Sequence, residues 1–397
     1  MKQRFDKAGI RGIFIPQHPM EEVMRKIALV FVLLAAACGE DVPQEETTDT
    51  SQEALSLPVV DSIGVELGDS AYVFGAIADA EVLPDGNIIV LDRTFCSMRI
   101  FTPEGEHVRT IAGMGSGPGE LSNPFSLFNW GNGEISVIDP YAGGIHRYTI
   151  NGEWLGLELP ITNNSFIDPV VVSPESFVCF KSRFDQEGDG ITATAFVSLF
   201  PMSIEPEVTY WEKSMPWDPG NMGNLALEAI FSNYYTADPS TGMVYISPYH
   251  GDGYSILCCN ADGSSAGEIT AEYTPVPKTE EEIQAEKDFI EFFLRASENN
   301  NPNLNYSCDP WPNHFAVTGL YIGPSGNLWA MRGGTETVEF DIWGGPEEFI
   351  GKAVLPDLSV GGASWKFAFG ENTAAAWNEN PDDFQKLYVI DLSGLTN

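Results

Sequence analysis

Carboxylates at alternate positions before a glycine are the first residues in this sequence whose types and spacing suggest chemistry. Asp185, Glu187 and Asp189 precede Gly190, which is the arrangement of the first half of an EF-hand loop that binds calcium through such oxygens. The last ligand position of the loop, normally a bidentate glutamate, is Phe196. We therefore interpret the segment as an acidic hairpin tip and keep calcium binding as the alternative.

Histidine, a common general base and zinc ligand, is sparse in the rest of the chain. The histidines after residue 37 are His107, His146, His250 and His314. No two of them form the His-x-x-x-His pair of a zinc helix. The segment GSGPGELSNP at residues 115–124 has the glycines of a phosphate-binding loop, but Glu120 follows its last glycine where that loop has lysine. We interpret these glycines as a hinge between repeats.

Internal repetition predicts the fold that positions these residues. Asp92 and Asp139 are 47 residues apart, and so are Gly105 and Gly152. In each unit an Asx-Gly turn precedes an apolar strand that ends in Asp. A second strand, a Glu-Gly or Asn-Gly turn and a third strand follow. Short strands joined by such tight turns predict antiparallel hairpins.

Weaker copies continue this pattern to the end of the chain. They occupy residues 165–211, 230–272, 315–354 and 362–392. The last copy stops one strand short, and residues 59–67 supply an apolar strand at the other end. We therefore predict an all-β fold over residues 58–397. It is a six-bladed β-propeller of four-stranded antiparallel blades, closed by its N-terminal strand so that no sheet edge is left unpaired at the junction.

The best-defined repeats resemble those of NHL-type six-bladed propellers, and more closely those of bacterial TolB-like propeller lipoproteins. The motifs that carry the resemblance are DGNIIVLD at residues 85–92, RIFTPEG at 99–105, and GPGEL at 117–121 with Pro124. The resemblance is sharp over residues 74–159 and continues as a strand pattern beyond them. It implies the propeller fold and leaves the function open, because propellers host unrelated activities.

The N-terminus carries an export signal. A charged start at Met24, an apolar run over residues 27–34 and three alanines precede Cys38, and this stretch is too short for a stable membrane-spanning helix. It resembles the lipobox of bacterial lipoproteins, which implies cleavage before Cys38 and acylation of its thiol and amine. Residues 1–37 are thus expected to combine an over-extended start with a signal peptide. We expect an exported lipoprotein at the periplasmic face or cell surface, in the outer membrane.

Charge limits the partners of the protein. The chain has a formal net charge of −37, and removing the six cations and three anions of residues 1–37 leaves −40. Such a field repels nucleic acid and anionic head groups, so membrane contact is expected through the acyl chains alone. Residues 38–57 combine the lipidated cysteine with an acidic stretch that lacks cations. We expect this stretch to be a disordered tether.

One segment interrupts the repeats between blades four and five. Thr279 and Glu282 have the spacing of a capping box, and apolar residues follow at helical intervals. These signals predict a helix over residues 280–297 within an insertion of residues 279–312. The insertion joins the ring on the face where the second strands end. The helix is therefore expected either to cover the channel mouth or to pack on the propeller rim.

The ends of the second strands are expected to converge near the propeller axis on that same face. The candidate ligand-binding residues there are Asp92, Arg93, Asp139, Tyr141, Arg183, His250, Arg332 and Asn378. Mixed charges and aromatic rings suit a polar ligand, and arginine binds carboxylate or phosphate groups. A structural role is the alternative for Asp92 and Asp139, whose carboxylates would hold the turns that follow them.

The residues favour a binding protein over an enzyme. Our hypothesis is a monomeric, lipid-anchored propeller that binds a protein, peptide or glycan at the channel mouth and uses no cofactor. The alternative is a calcium-dependent hydrolase or lactonase that works in the central channel. Asp139 and Asn378 are the candidate calcium ligands in that alternative.

The cysteines after the lipobox limit the disulfides. They are Cys96, Cys179, Cys258, Cys259 and Cys308. Because their number is odd, at most two intrachain disulfides are compatible with the sequence. The adjacent pair Cys258 and Cys259 is expected to point to opposite faces of a strand.

Overall fold

Six β-sheets follow one another along the chain, as the repeats predict. The structure, a computed structural model, describes residues 54–161, 166–187, 190–217, 233–248, 253–296, 308–361 and 364–395. Two short strands precede the first complete sheet, β1 (Leu55–Ser56) and β2 (Val59–Ile63). Each sheet is a blade built on four antiparallel strands, and β1 adds a fifth strand to one of them.

The first three blades each consist of four consecutive strands. Blade 1 comprises β3 (Ile77–Val82), β4 (Ile88–Asp92), β5 (Ser97–Phe101) and β6 (His107–Ile111). Blade 2 comprises β7 (Ser126–Asn129), β8 (Glu134–Asp139), β9 (Gly144–Thr149) and β10 (Trp154–Pro160). Blade 3 comprises β11 (Ile167–Ser173), β12 (Ser176–Glu187), β13 (Gly190–Pro201) and β14 (Val208–Trp217). The β12–β13 hairpin is the longest of these, with 12 residues in each strand.

The last three blades follow the same order. Blade 4 comprises β15 (Asn233–Ala237), β16 (Val244–Pro248), β17 (Tyr254–Cys259) and β18 (Ser265–Ala271). Blade 5 comprises β19 (Val317–Ile322), β20 (Leu328–Arg332), β21 (Thr337–Gly345) and β22 (Glu348–Ser359). Blade 6 comprises β23 (Trp365–Phe369), β24 (Thr373–Asn378) and β25 (Leu387–Asp391), and β2 completes it.

The hydrophobic core of the described chain is divided among the interfaces between neighbouring blades. Each of six clusters joins one blade to the next, including blade 6 to blade 1. The second strands are covered on both sides, which is why their sequences are continuous apolar runs and all five residues of β4 are buried. The blades therefore form a closed ring, with the first strand of each blade next to the axis.

The N-terminal segment closes the ring, as predicted, and it does so across two blades. β2 pairs antiparallel with β25, with Ile63 opposite Leu387, and it ends at Ile63 instead of residue 67. β1 was not predicted, and it pairs in parallel with β22 at the outer edge of blade 5. Leu57, between the two strands, is buried in the cluster that joins blades 5 and 6. The segment therefore ties the outer edges of both blades together.

The glycine-rich segment at residues 115–124 connects blades 1 and 2, as the hinge interpretation predicts. Glu120 Oε2 accepts a hydrogen bond from Gly117 N at 2.7 Å. Gly119 has φ +75°, and a Cβ there would lie 2.9 Å from a side-chain carbon of Trp154. The glycines thus allow a tight passage against blade 2, and the carboxylate occupies the turn where a phosphate loop would bind an anion.

The predicted helix is present in the insertion, as α1 (Glu280–Ala296). Its capping box is formed as expected: Glu282 N donates to Thr279 Oγ1 at 3.2 Å, and Thr279 N donates to Glu282 Oε2 at 2.7 Å. Ile290 is buried, whereas Phe289 and Phe292 are exposed. The helix therefore has one packed face and one face that carries aromatic rings outward.

The first turn of α1 is tied to the start of blade 5. Glu282 Oε1 lies 3.4 Å from His314 Nε2, just before β19. His314 borders the axial cavity, whereas none of residues 280–292 of α1 does. Over these residues, the helix therefore does not form the cavity wall. Within the described residues, we find no helix that is long and apolar enough to cross a membrane.

The described cysteines are buried and no disulfide joins them. The adjacent pair at the end of β17 separates as predicted. Cys258 packs in the cluster between blades 4 and 5, and Cys259 packs in the cluster between blades 3 and 4. The thiols therefore act as small apolar core groups on opposite sides of one blade.

Candidate functional site

The first strands of the six blades enclose a cavity of about 1100 Å³ along the propeller axis. Every blade contributes to its wall. The charged side chains on that wall are Asp79, Glu81, Asp168, Glu371, Glu379, Arg332 and Lys366. The volume suits a small molecule or the end of a longer one. Carboxyl groups outnumber the permanent cations, so the wall is predominantly acidic.

Asp79 and Glu81 lie side by side on β3 of blade 1. They alternate along the strand, so their side chains leave the same side of it. Asp79 Oδ2 accepts a hydrogen bond from Leu127 N of blade 2 at 2.8 Å, whereas Glu81 has no hydrogen-bond or ion-pair partner among the described residues. Burial raises the pKa of Asp79 to about 7. Burial, reinforced by repulsion from Asp79, raises the pKa of Glu81 to about 8.

An ion pair spans the channel between opposite blades. Lys366 Nζ on β23 of blade 6 lies 3.2 Å from Asp168 Oδ2 on β11 of blade 3. Asp168 has φ +43°, which is unusual for a residue with a side chain, and its carbonyl oxygen accepts a hydrogen bond from Tyr235 Oη at 2.8 Å. Attraction to Asp168, helped by Glu379 and Tyr321, raises the pKa of Lys366. The lysine is therefore a fixed cation, already paired, in an otherwise acidic channel.

Neutral polar groups without partners also face this region. In the described structure, the shielded amide nitrogen and oxygen of Asn233, at the start of β15, make no hydrogen bond. Trp377 Nε1 is likewise unpartnered, although the ring is buried. Leaving such groups unsatisfied costs about 1–3 kcal/mol each. These atoms are shielded from solvent, so a bound molecule would recover that cost only after a side-chain movement.

Three residues predicted at the ends of second strands hold loops. Asp92 accepts hydrogen bonds from backbone N–H groups of the loop before β3 and of the turn after β4. Asp139 accepts four backbone hydrogen bonds at 2.6–3.0 Å in the same places of blade 2. Asn378 Oδ1 accepts two, each at 3.0 Å. These contacts agree with the structural alternative for Asp92 and Asp139, and neither residue lines the cavity.

Arg332 is the residue of the predicted set that does line the cavity. Its Nη1 lies 2.8 Å from Asp341 Oδ2 on the next strand. The equivalent pair in blade 1 is Asp92 with Arg99, whose Oδ2 and Nη2 are 2.9 Å apart. In both blades the partner on the third strand lies opposite the residue two positions before the end of the second strand. Blade 1 has the carboxylate on the second strand and the arginine on the third, whereas blade 5 has the reverse. This exchange places a cation on the channel wall in blade 5.

The remaining mouth candidates are not gathered around the cavity. Arg93 Nε donates to the Pro124 carbonyl oxygen at 3.2 Å, and its guanidinium lies 4.8 Å from the centre of the Phe125 ring. Tyr141 is 66% exposed, and neither it nor Arg93 lines the channel. His250 lies outside the described residues.

The acidic segment that suggested calcium belongs to the long hairpin of blade 3. Asp185 Oδ2 lies 3.1 Å from Arg183 Nε, and Arg183 Nη2 lies 3.3 Å from Glu212 Oε2 on β14. Glu187 is the last residue of β12, and Asp189 lies outside the described residues. In the described part of the hairpin, Asp185 therefore pairs with Arg183 on its own strand, and Arg183 also pairs with Glu212 on β14.

A calcium centre does not fit the described residues as they are placed. Among them, no group of three or more His, Cys, Asp or Glu side chains is arranged to hold a metal ion. Both Asp139 oxygens accept backbone hydrogen bonds. The Asn378 oxygen accepts two backbone hydrogen bonds as well. The side-chain oxygens of the two candidate ligands are thus already engaged within the fold.

The sequence also contains a nucleophile-elbow pattern, GSSAG at residues 263–267, in the wrong structural context. It lies at the turn between β17 and β18, where Ser265 pairs opposite Cys259 in an antiparallel hairpin. The Ser264 hydroxyl donates to Asp262 Oδ1 at 2.6 Å within the same turn. A nucleophile elbow requires a passage from a strand to a helix. These serines therefore belong to an outer turn of blade 4.

Sequence reasoning did not find the main channel residues. The segment IADAEV at residues 77–82 carried a signal, since two carboxylates alternate along an otherwise apolar first strand. Asp168 and Lys366 carried none, because they are 198 residues apart and meet only through the closed ring.

Comparisons with known proteins find distant similarities among solved structures. No protein-family model and no curated protein matches the chain. Among solved structures, it is similar to regucalcin, a calcium-binding protein from Agrobacterium tumefaciens strain C58. That match has 9% identity and a TM-score of 0.42, and it covers 85% of this chain and 97% of that one.

Two further solved structures show a similar degree of likeness. Virginiamycin B lyase from Staphylococcus aureus has 11% identity and a TM-score of 0.41, with 84% of this chain and 98% of that one covered. A gluconolactonase from Xanthomonas campestris has 11% identity and a TM-score of 0.40, with the same two coverages. The six four-stranded blades of this chain themselves define it as a six-bladed β-propeller. Its axial cavity is the candidate site.

Proposed function

We propose that the protein is a lipid-anchored, extracytoplasmic binding propeller that receives part of a protein, peptide or glycan in its central channel. The observation that carries the proposal is the cavity of about 1100 Å³, to which all six blades contribute polar or charged side chains. The anchor and the kinship with TolB-like propeller lipoproteins are supported by the lipobox at Cys38 and by the repeat motifs.

The chemistry of the wall supports binding. The channel offers carboxyl groups at Asp79 and Glu81, a paired cation at Lys366, and the unpartnered amide of Asn233. Convergent groups of this kind orient a polar ligand. Hydrogen bonds between these groups and a ligand are stronger in a narrow space of low dielectric constant than in bulk water. The wall also carries many aromatic and aliphatic side chains, so the candidate ligand presents hydrogen-bonding groups together with apolar surface.

Replacing Cys38 by serine is expected to release the protein from the membrane. The acidic chain has no attraction to anionic lipid, so the acyl groups on Cys38 provide the attachment in this proposal. Fractionation of cells that express the wild type and Cys38→Ser measures the effect, and a Ser51→Ala variant in the tether serves as the control. The anchor proposal fails if Cys38→Ser stays in the membrane fraction.

Filling the channel is expected to abolish ligand binding without unfolding the ring. Ser364 borders the cavity. A substitution keeps the bond from its backbone N–H to Asn378 and removes only the exposed bond from its hydroxyl to Glu379 Oε2. The proposal predicts that some compounds from a panel of amines, sugars and short peptides raise the melting temperature of the wild type. Ser364→Trp is expected to lose that response and Ser62→Trp, on the exposed outer strand, to keep it. Equal responses in all three proteins would place binding outside the channel.

A calcium-dependent hydrolase or lactonase is the competing function. The observation in its favour is the number of channel carboxyl groups, because calcium prefers oxygen ligands. The competing function predicts that a chelator lowers the melting temperature and that lactones or esters are turned over when calcium is added. Binding without either effect supports the binding propeller, and metal-dependent turnover supports the enzyme.

A further inference from the structure

We propose that the group recognised inside the channel is a cation, an alkylammonium or guanidinium group held against Asp79 and Glu81. This inference rests on the proposed function, since it names the chemistry of the ligand for the same cavity. The source of the cation is either a free polyamine or the side chain of a basic peptide, and both present the same charged group. The channel selects for the charge and for its hydrogen-bond donors.

The first argument is the imbalance of charge on the wall. Five carboxyl groups border the cavity, against the permanent cations Lys366 and Arg332. Both cations are already committed: Lys366 Nζ lies 3.2 Å from Asp168 Oδ2, and Arg332 Nη1 lies 2.8 Å from Asp341 Oδ2. The described structure therefore leaves carboxyl groups in the channel without a matching cation.

The second argument is the position of Glu81. Its carboxyl group is inside the channel wall, beside Asp79, and has no hydrogen-bond or ion-pair partner among the described residues. Asp79 makes backbone hydrogen bonds and is repelled by Asp168. A carboxyl pair on one side of a strand is a suitable acceptor for the several N–H donors of a guanidinium group.

The third argument is the unsatisfied amide of Asn233 on the wall of blade 4. Both amide atoms are shielded and unpartnered in the described structure. The amide is independent of the acidic pair, because it lies on a different blade. Because both atoms are shielded, a ligand would reach them only after the side chain turns toward the cavity that the residue lines, where the amide would add a neutral donor and acceptor to the charged pair on blade 1.

Cation binding in this arrangement is coupled to loss of protons. The groups that influence Asp79 are the N–H groups of Leu127 on β7 and Ala80 on β3, Asp168 on β11 and Lys366 on β23, and the group that influences Glu81 is Asp79. A cation stabilises the ionised carboxylates, so it lowers pKa values that stand at about 7 and about 8 in the free protein. Affinity therefore rises as pH increases from 6 to 8.5, and it levels off once both groups are ionised.

Isothermal titration at pH 6, 7 and 8.5 tests the proposal. The probes are N-acetylargininamide for a peptide side chain and cadaverine for a free amine, both fully charged over this range. N-acetylcitrullinamide is the neutral counterpart of the first probe. We expect at least about tenfold tighter binding of the cations at pH 8.5 than at pH 6, with net proton release measured in buffers of different ionisation enthalpy. The citrulline compound is expected to show neither effect.

Substitutions of single carboxyl groups show which of them binds the cation. Glu81→Gln is expected to weaken cation binding at pH 8.5 by about tenfold and to flatten its pH dependence. Glu104→Gln, an exposed carboxyl in the turn between β5 and β6 that does not border the cavity, is the matched control and is expected to change affinity less than about threefold. The relative affinities of cadaverine and N-acetylargininamide indicate which source of the cation fits better.

The outcomes separate this inference from the proposed function. Equal binding of the arginine and citrulline compounds, or pH-independent binding, overturns the cation proposal. If only neutral compounds from the panel bind, and Ser364→Trp removes their binding, the channel remains the ligand site and the cation proposal is wrong. If no compound distinguishes the wild type from Ser364→Trp, both fail.

Discussion

Replacing Asp92 by alanine is expected to lower the free energy of unfolding by about 3–5 kcal/mol, because it leaves a buried arginine without its counter-charge. Asp92 Oδ2 lies 2.9 Å from Arg99 Nη2, and only 0% and 4% of the two side chains are exposed. The same carboxylate accepts the N–H groups of Gly75 and Phe95. Chemical denaturation of the non-lipidated Cys38→Ser protein measures the loss.

A double-mutant cycle is the control for this prediction. Arg99→Met in the Asp92→Ala background removes the lone buried charge, so the double variant is expected to be more stable than Asp92→Ala alone. A decrease in the free energy of unfolding of less than about 1 kcal/mol for Asp92→Ala would contradict a stabilising ion pair. Strictly additive effects of the two substitutions would contradict it as well. Either result would return Asp92 to consideration as a ligand-binding group.

Deleting residues 54–63 is expected to cost about 5 kcal/mol or more and to cause aggregation. The segment buries Leu57 between blades 5 and 6 and Ile63 between blades 6 and 1, and losing a large buried aliphatic side chain typically costs about 2–5 kcal/mol. Its removal also exposes the outer strands β22 and β25, whose unpaired backbone groups can pair with other chains. Denaturation and light scattering measure the two effects.

Two point variants separate side-chain burial from strand pairing. Ile63→Ala is expected to cost about 2–5 kcal/mol, because the residue is 2% exposed. Val60→Ala lies on the same strand but is 55% exposed, so it is expected to change stability by less than about 0.5 kcal/mol. A deletion variant that melts like the full chain would show that the ring does not depend on this closure.

The repeat architecture was predictable because its signals are local. Asx-Gly and Glu-Gly turns and apolar second strands each act within one hairpin, so they predict that hairpin without knowledge of the neighbouring blades. The 47-residue spacing shows that the hairpins repeat along the chain. The helix was predictable for the same reason, since its capping box is formed by two nearby residues, Thr279 and Glu282. The closing strand followed from counting strands in the last blade.

Long-range features were not predictable in this way. The parallel pairing of β1 with β22 depends on where the chain enters the ring, and no local pattern marks a two-residue strand. The Lys366–Asp168 pair brings together opposite blades. Asp79 and Glu81 could have been noted as polar positions in an apolar first strand, but only the ring shows that the first strands line a cavity.

The ends of the second strands show why residue type alone misled the search for the site. Asp92, Asp139 and Asn378 are polar because each anchors the backbone at the entry to its own blade, just before the first strand. The same position in blade 5 holds Arg332, paired to Asp341, and there the side chain borders the channel. One structural position therefore serves loop anchoring in three blades and the cavity wall in another.

The most direct test of the channel as the ligand site is a difference density map. Crystals would be grown with the compound from the binding panel that stabilises the wild type most. Our account predicts density for that compound on the propeller axis, within hydrogen-bond distance of at least one of Asp79, Glu81, Asn233 and Lys366. Density confined to the outer surface of the blades, with the channel containing only solvent, would contradict it.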